Sequence, residues 1–334
     1  MWGILFILII SFIVTLITTP LLREIALKKN IVDQPDSSLK IHIKPIPYLG
    51  GVAMFLGISV SLIFAVFHLD FDRRLLFQIE ITLFLIMVLG LLDDVFNIKQ
   101  NYKFVIQILV SLFLVTSGLR IASIPVVYIS IPLSIFYIIG ACNALNLLDG
   151  LDGLASGITA IATSFFCILF LIKGDDFGLM LSICLLGVCL AFLIYNFSPA
   201  KIFMGDAGSM LLGLMLAILM IRYSSKPYDF INFVSPIVIC GVPIFDTALT
   251  YLRRYLNNRP IFPGDRSHFY DQLVDRGLTA KKTVFISYAL GVVFGLAALI
   301  INYIPLIPSI LTIIALISTL SVFILKMKML RMEE

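Results

Sequence analysis

The sequence predicts an all-α integral membrane protein that crosses the bilayer about eleven times, with its N-terminus outside and its C-terminus in the cytoplasm. Three observations carry this. Of 334 residues, 60% are hydrophobic and only 13% are charged, too few to cover a water-soluble domain of this length. The mean hydropathy is +1.07. The apolar residues also fall into runs of span length, and a span takes about 20 of them. The longest polar stretch, 251–282, is too short for a second, soluble domain, so 1–334 reads as a single membrane domain.

The first run, 2–22, has its positive charges (Arg23, Lys28, Lys29) after the apolar stretch and no small-residue cleavage site, so it reads as a retained span rather than a signal peptide. Runs at 48–67, 75–92, 104–118 and 125–142 follow, the last three separated by short loops, with Pro125 and Pro132 at or near span ends. Then come 154–172, 177–195, 208–222, 231–250, 284–303 and 306–325. No long internal period is present, which gives an inverted-repeat transporter no support. The five cysteines lie in apolar surroundings without metal-binding spacing and read as small buried hydrophobes.

Lys and Arg fix the orientation, because cytoplasmic loops carry their excess. With the N-terminus outside, the inner side holds Arg23, Lys28, Lys29, Lys40, Lys44, Lys99, Lys103, Lys201, Arg253, Arg254, Arg259, Arg266, Arg276, Lys281, Lys282, Lys326, Lys328 and Arg331. The outer side keeps only Arg73, Arg74, Arg120, Lys173, Arg222 and Lys226. This orientation puts loops 23–47, 91–103, 143–153, 196–207 and 251–282 on one cytoplasmic face, where they are expected to form the active site.

Carboxylates at the edge of apolar spans are costly and mark a functional site by default. Asp93 and Asp94 are adjacent at a span end, and two such neighbours repel unless a cation neutralises them. Lys103 opens the next span and is placed to meet an anionic lipid head group. Asn143, Asn146, Asp149 and Asp152 are spaced by three, so a helix would align all four on one stripe. Gly205-Asp206-Ala207-Gly208-Ser209 opens a span with free N–H groups suited to an anion, while Asp206 can hold a metal bridging to it. Mg²⁺ fits best, since it pairs one or two carboxylates with substrate phosphates. Arg266 and His268 lie mid-loop among aromatics, suiting a diphosphate and a stacked base. His42 lies in the basic segment Lys40-Ile41-His42-Ile43-Lys44. Asp246 is expected to pair with Arg253 or Arg254. The plain alternatives are a solvated helix end, a polar turn and a helix cap. An ion-coupled transporter would use the same acids as a relay, but near the bilayer midplane.

Pro45-Ile46-Pro47-Tyr48-Leu49-Gly50-Gly51, Leu92-Asp93-Asp94, stretches 143–153 and 196–209, Pro243-Ile244-Phe245-Asp246 and the His268 loop together resemble one family. It is the polyprenyl-phosphate N-acetylhexosamine-1-phosphate transferases, glycosyltransferase family 4. The family includes enzymes that start common-antigen, O-antigen and wall teichoic acid synthesis, and the phospho-N-acetylmuramoyl-pentapeptide transferase. The resemblance implies transfer of a HexNAc-1-phosphate, GlcNAc-1-phosphate first among them, from a UDP-sugar to undecaprenyl phosphate in the bacterial cytoplasmic membrane, releasing UMP. It implies Mg²⁺, with Mn²⁺ as a substitute, held by Asp206 and Asn146. Asp93 and Asp94 match acids that engage or deprotonate the lipid phosphate, beside which Lys103 and Lys44 are assigned. Asp149 and Asp152 match acids implicated in activity. Asn196 and His268 match the nucleotide-sugar pocket, to which Asn143 and Arg266 are also assigned, and His268 is counted among the catalytic residues. Direct attack and a covalent enzyme intermediate are both compatible with these residues. The loop Asp265-Arg266-Ser267-His268-Phe269-Tyr270 lacks the histidine run of the pentapeptide transferase, and looks more like the branch using UDP-GlcNAc or related amino sugars. No nucleic-acid partner is expected, and a homodimer through a lipid-facing helix is compatible with the sequence.

Overall fold

The computed structural model describes residues 2–34, 45–259 and 268–330, and they are almost entirely helical. Eight long helices come first: α1 (Trp2–Lys28), α2 (Gly50–His68), α3 (Arg73–Phe96), α4 (Gln100–Thr116), α5 (Val127–Leu148), α6 (Leu154–Lys173), α7 (Asp176–Asn196) and α8 (Gly205–Tyr223). Then follow α9 (Phe230–Ile239), α10 (Gly241–Leu256), the short α11 (Phe269–Asp275), α12 (Ala280–Tyr303) and α13 (Leu306–Lys326). Among the described residues, nine helices are long and apolar enough to cross a membrane. The chain is a multi-pass membrane protein. The two remaining expected spans are α4, with 17 residues, and the pair α9–α10.

That pair corrects the expectation of one continuous span over 231–250. The two segments meet at Cys240 with a bend of 77°. Pro236 and Pro243 lie on either side, and each withholds an N–H from the helical ladder. A side chain at Gly241 would also collide with the Phe294 ring of α12.

α8 forms the centre of the bundle. Every residue from Met210 to Ile221 is buried, as expected of a helix that is apolar on all sides, and α2, α3, α5, α6, α7 and α9 surround it. At the periphery, α13 buries only Ser309. One end of the bundle gathers the finish of α3, α5 and α7 and the start of α2, α6 and α8. There the Pro45–Gly51 motif has a backbone role: Phe203 N donates to Pro47 O at 2.8 Å, Gly50 N to Phe203 O at 3.0 Å and Gly51 N to Met204 O at 2.9 Å. A two-residue antiparallel ladder, β1 (Val32–Asp33) with β2 (Ile46–Pro47), flanks this joint.

At the opposite end Arg222 donates twice to Asp175, at 2.7 and 2.9 Å, and Asp175 caps α7 by accepting from Gly178 N. Burial raises the Asp175 pKa, but the bonds from Arg222 and Gly178 outweigh it and hold the carboxyl below its usual range. The stabilisation is therefore present at neutral pH and is lost as pH falls through the lowered folded pKa. Asp175→Ala is expected to cost about 1–3 kcal/mol from the lost cap and pair, read as a lower melting temperature in detergent at pH 7 and a smaller loss in acid.

Candidate active site

At the end of the bundle where the acidic segments meet, a cleft of about 590 Å³ is lined by Asp93, Asp94, Asn146, Asp149, Asp152, Asn196, Asp206 and Ser209. Five expected carboxylates from three inter-helix segments thus converge on one space. Asp33, which the sequence did not single out, and Tyr48, of the Pro45–Gly51 motif, line it too.

The adjacent acids of α3 diverge. Asn97 ends the helix in the left-handed region, with φ 50°, and this turn returns Ile98 N to Asp93 Oδ1 at 2.8 Å. Asp94 crosses to α8, where its two oxygens accept from Asp206 N at 2.8 Å and Ala207 N at 3.3 Å. The first N–H groups of a helix have no partner within it and favour an anion. The anion expected at this helix start is therefore supplied by the chain itself. The close approach requires Gly90, one turn earlier on α3, where a Cβ would collide with the Ala207 backbone.

α5 ends at Leu148, with Asp149 as its C-cap, and Gly153 turns the chain at φ 78°, a conformation glycine adopts without steric cost. The expected four-residue stripe therefore stops at Asn146, and Asp149 and Asp152 stand on the turn. Asn146 Nδ2 donates to Ser209 Oγ at 3.1 Å. Asn143 lies a turn deeper, donates to Gln107 Oε1 at 2.9 Å and is not among the residues lining the cleft. Asp152 Oδ2 accepts from Ala200 N at 2.9 Å. Asn196 accepts from Gly153 N and Ser156 Oγ and donates to Ile202 O, each at 3.1 Å, so it fastens the start of α6 to the turn before α8. Loss of solvation pushes the Asp149 carboxyl well above the ordinary carboxylate range, and the charges of Asp206, Asp94 and Asp152 push the same way.

Lys103, on α4, is buried. Its ammonium contacts Asp93 Oδ2 and, at 2.9 Å, Asp206 Oδ2, so it points into the carboxylates rather than outward to lipid. Among the described residues it is the basic side chain that pairs with any of these five acids, and it holds two of them. The donors here are oxygens, and a cationic group already sits between two of them. No group of three His, Cys, Asp or Glu side chains is arranged to hold a metal among the described residues. That donor set fits Mg²⁺, which takes one or two carboxylates and completes its shell with water and substrate phosphate.

His268 is buried and is not among the residues lining the cleft. Its Nδ1 is 2.7 Å from Asp246 Oδ2, and Phe269 N donates to Asp246 Oδ1 at 2.8 Å. Asp246, expected against Arg253 or Arg254, holds the last loop instead. The His268 ring stacks on Tyr270, with centroids 5.4 Å apart, and Tyr270 OH donates to Leu147 O at 2.8 Å, against the turn that carries Asp149. Gln107, fully buried and one turn beyond Lys103, ties α4 to Asn143 without lining the cleft and is not revealed by the motifs; its one signal is a lone amide within an apolar run. Lys44 and Arg266, together with His42, lie outside the described residues.

The chain is 36% identical over 303 residues to a probable undecaprenyl-phosphate N-acetylglucosaminyl 1-phosphate transferase of Bacillus subtilis, covering 88% of this chain and 84% of that one. The glycosyl transferase family 4 model matches residues 76–224. The chain belongs to glycosyl transferase family 4. A decaprenyl-phosphate N-acetylglucosaminephosphotransferase of Mycobacterium tuberculosis is 34% identical over 325 residues, covering 86% of this chain and 80% of that one. A phospho-N-acetylmuramoyl-pentapeptide-transferase of Staphylococcus carnosus is 34% identical over 186 residues, covering 53% and 55%. The family 4 match runs from α3 to α8, and so contains Asp93, Asp94, Lys103, Asn146, Asp149, Asp152, Asn196 and Asp206, while His268 falls outside it.

Proposed function

We propose that this protein transfers GlcNAc-1-phosphate from UDP-GlcNAc to undecaprenyl phosphate, in the bacterial cytoplasmic membrane, as the first membrane step of envelope polysaccharide synthesis. The observation that carries this reading is the convergence of the five expected carboxylates on one cleft at the ends of the spans, with a buried lysine paired to two of them. A site at the bilayer edge suits a donor arriving from water and an acceptor arriving from lipid, and a midplane ion relay is not what the acids form. The names of the Bacillus and mycobacterial relatives support a polyprenyl-phosphate acceptor and an N-acetylglucosamine donor.

In the transfer, a phosphate oxygen of the lipid bonds to the phosphorus bearing the sugar. The diphosphate bond breaks, and its electron pair leaves with UMP. Mg²⁺, when bound, supplies neutralisation of the donor diphosphate and of the departing UMP. Asp206 and Asn146 are the residues assigned to hold it. Asp93 and Lys103 are assigned to the acceptor phosphate, with Lys44, and Asp93 takes its proton when it arrives protonated. Asp94 and Asp152 fix the start of α8 and the turn before it, while Asp149, which lines the cleft, is assigned to the transfer itself. Asn196, Arg266 and His268 are assigned to the donor side. Asn143, which does not line the cleft, ties α5 to α4 through Gln107.

The test uses the purified protein in detergent with undecaprenyl phosphate, Mg²⁺ and a panel of UDP-HexNAc donors. UMP release and mass spectrometry of the lipid should identify lipid-diphosphate-GlcNAc. UMP from another donor alone would reassign the sugar, and UMP from none, with folded protein, would remove the reading. His268→Ala is expected to raise the donor KM about tenfold with a smaller change in kcat; unchanged values of both would take His268 out of the donor site.

A further inference from the structure

Lys103 stands where a cation belongs, and it is part of the protein. Its ammonium contacts one oxygen of Asp93 and one of Asp206, both of which line a cleft with four further carboxylates. We propose that Lys103 is a resident counter-ion which a divalent cation displaces from Asp206, so that metal binding releases the ammonium toward the acceptor phosphate and makes the two binding events cooperative. This rests on the proposed metal position at Asp206.

The argument is electrostatic and geometric. Asp206 cannot give its full charge to a metal while it also holds Lys103, and a dication beside that carboxylate would stand within a few ångströms of the ammonium. Like charges at that separation repel appreciably even at the effective dielectric of a protein surface. The lysine stem is flexible and its three N–H donors rotate, so the ammonium can leave Asp206, keep Asp93 and turn a donor to an incoming anion. α4 itself is held from below. Gln107, one turn deeper, donates to Met210 Sδ of α8 at 3.4 Å and accepts from Asn143 of α5 at 2.9 Å. The release is thus a side-chain rotation over a fixed backbone. Lys103 opposes the metal in the resting protein and assists the acceptor once the metal is bound. A residue that merely supported the metal site would have the opposite sign.

Mn²⁺ binding to the full chain in detergent, followed by the paramagnetic resonance signal of the free ion and without any sugar nucleotide, reads this sign directly. Lys103→Met and Lys103→Gln are expected to bind Mn²⁺ about tenfold tighter than the native chain. In the native chain, Mn²⁺ should tighten binding of undecaprenyl phosphate several-fold by native mass spectrometry, and the lipid should tighten Mn²⁺ by the same factor. In both variants that enhancement should vanish. Unchanged or weaker Mn²⁺ binding in both variants, with helical content equal to the native chain, would overturn the inference while leaving the transferase reading in place. Absence of Mn²⁺ binding by the native chain, with UMP release undiminished by chelators, would instead remove the metal assignment and the inference with it.

Discussion

Asp206→Asn is expected to lower kcat about 10³-fold or more and to abolish Mn²⁺ binding, while the melting temperature in detergent stays close to the native value. The contrast follows from where Asp206 puts its side chain. It receives Lys103 at 2.9 Å, and that contact holds no backbone segment. Asparagine keeps the shape and one oxygen but removes the charge that would share a dication with the donor diphosphate. Lys103 retains Asp93, so the buried ammonium is not stranded. The measurement is UMP release at saturating donor and acceptor across a Mg²⁺ series. Turnover within tenfold of the native chain at ordinary Mg²⁺ would refute the metal role of Asp206.

Gly90→Ala is expected to damage stability and catalysis together. The added Cβ would meet the Ala207 backbone and the Asp206 carbonyl carbon, which cannot turn aside as a side chain can. Overpacking of this kind costs about 1–3 kcal/mol. The strain also travels. Asp94, one turn on, must follow α3 as it is pushed from α8, and its bonds to Asp206 N and Ala207 N lengthen. A displacement near 1 Å at a reacting site costs roughly 10²-fold in rate. Gly140→Ala is the control, since a Cβ there meets nothing within 4 Å; it should leave kcat unchanged and hold or raise the melting temperature. A native melting temperature and native kcat for Gly90→Ala would mean that α3 and α8 are not locked at this point.

Much of the fold and of the site is legible in the amino-acid sequence, because a bilayer constrains the chain so strongly. Spans follow from apolar length, sides follow from Lys and Arg, and the two together put Asp93, Asp94, Asp149, Asp152 and Asp206 at one end of the bundle, where the cleft lies. What local spacing does not convey is direction and depth. A spacing of three places Asn143 and Asn146 on one stripe, yet says nothing of which rung reaches the cleft. The stripe's early end at Leu148 is foreshadowed by Gly150 and Gly153, whose backbone freedom favours a turn over another helical rung. Lys103 could face lipid or acids with equal local justification, and Asp206, a hundred residues away in the chain, decides it. The bend at Cys240 is hidden because Pro236 and Pro243 sit in an apolar run whose summed length still suits one span.

The carboxylates that accept backbone N–H groups bear on how any mutational survey of this protein should be interpreted. Asp94 receives the first amides of α8, Asp152 receives Ala200 N and Asp246 receives Phe269 N. An alanine substituted at any of them removes the acceptor altogether and leaves those main-chain donors unmet. Exchanging these acids one by one and ranking them by residual turnover would count fasteners of the scaffold as reacting groups. Plotting the loss of turnover against the loss of melting temperature separates the two populations, with Asp94, Asp152 and Asp246 moving along the diagonal and Asp206 falling away from it.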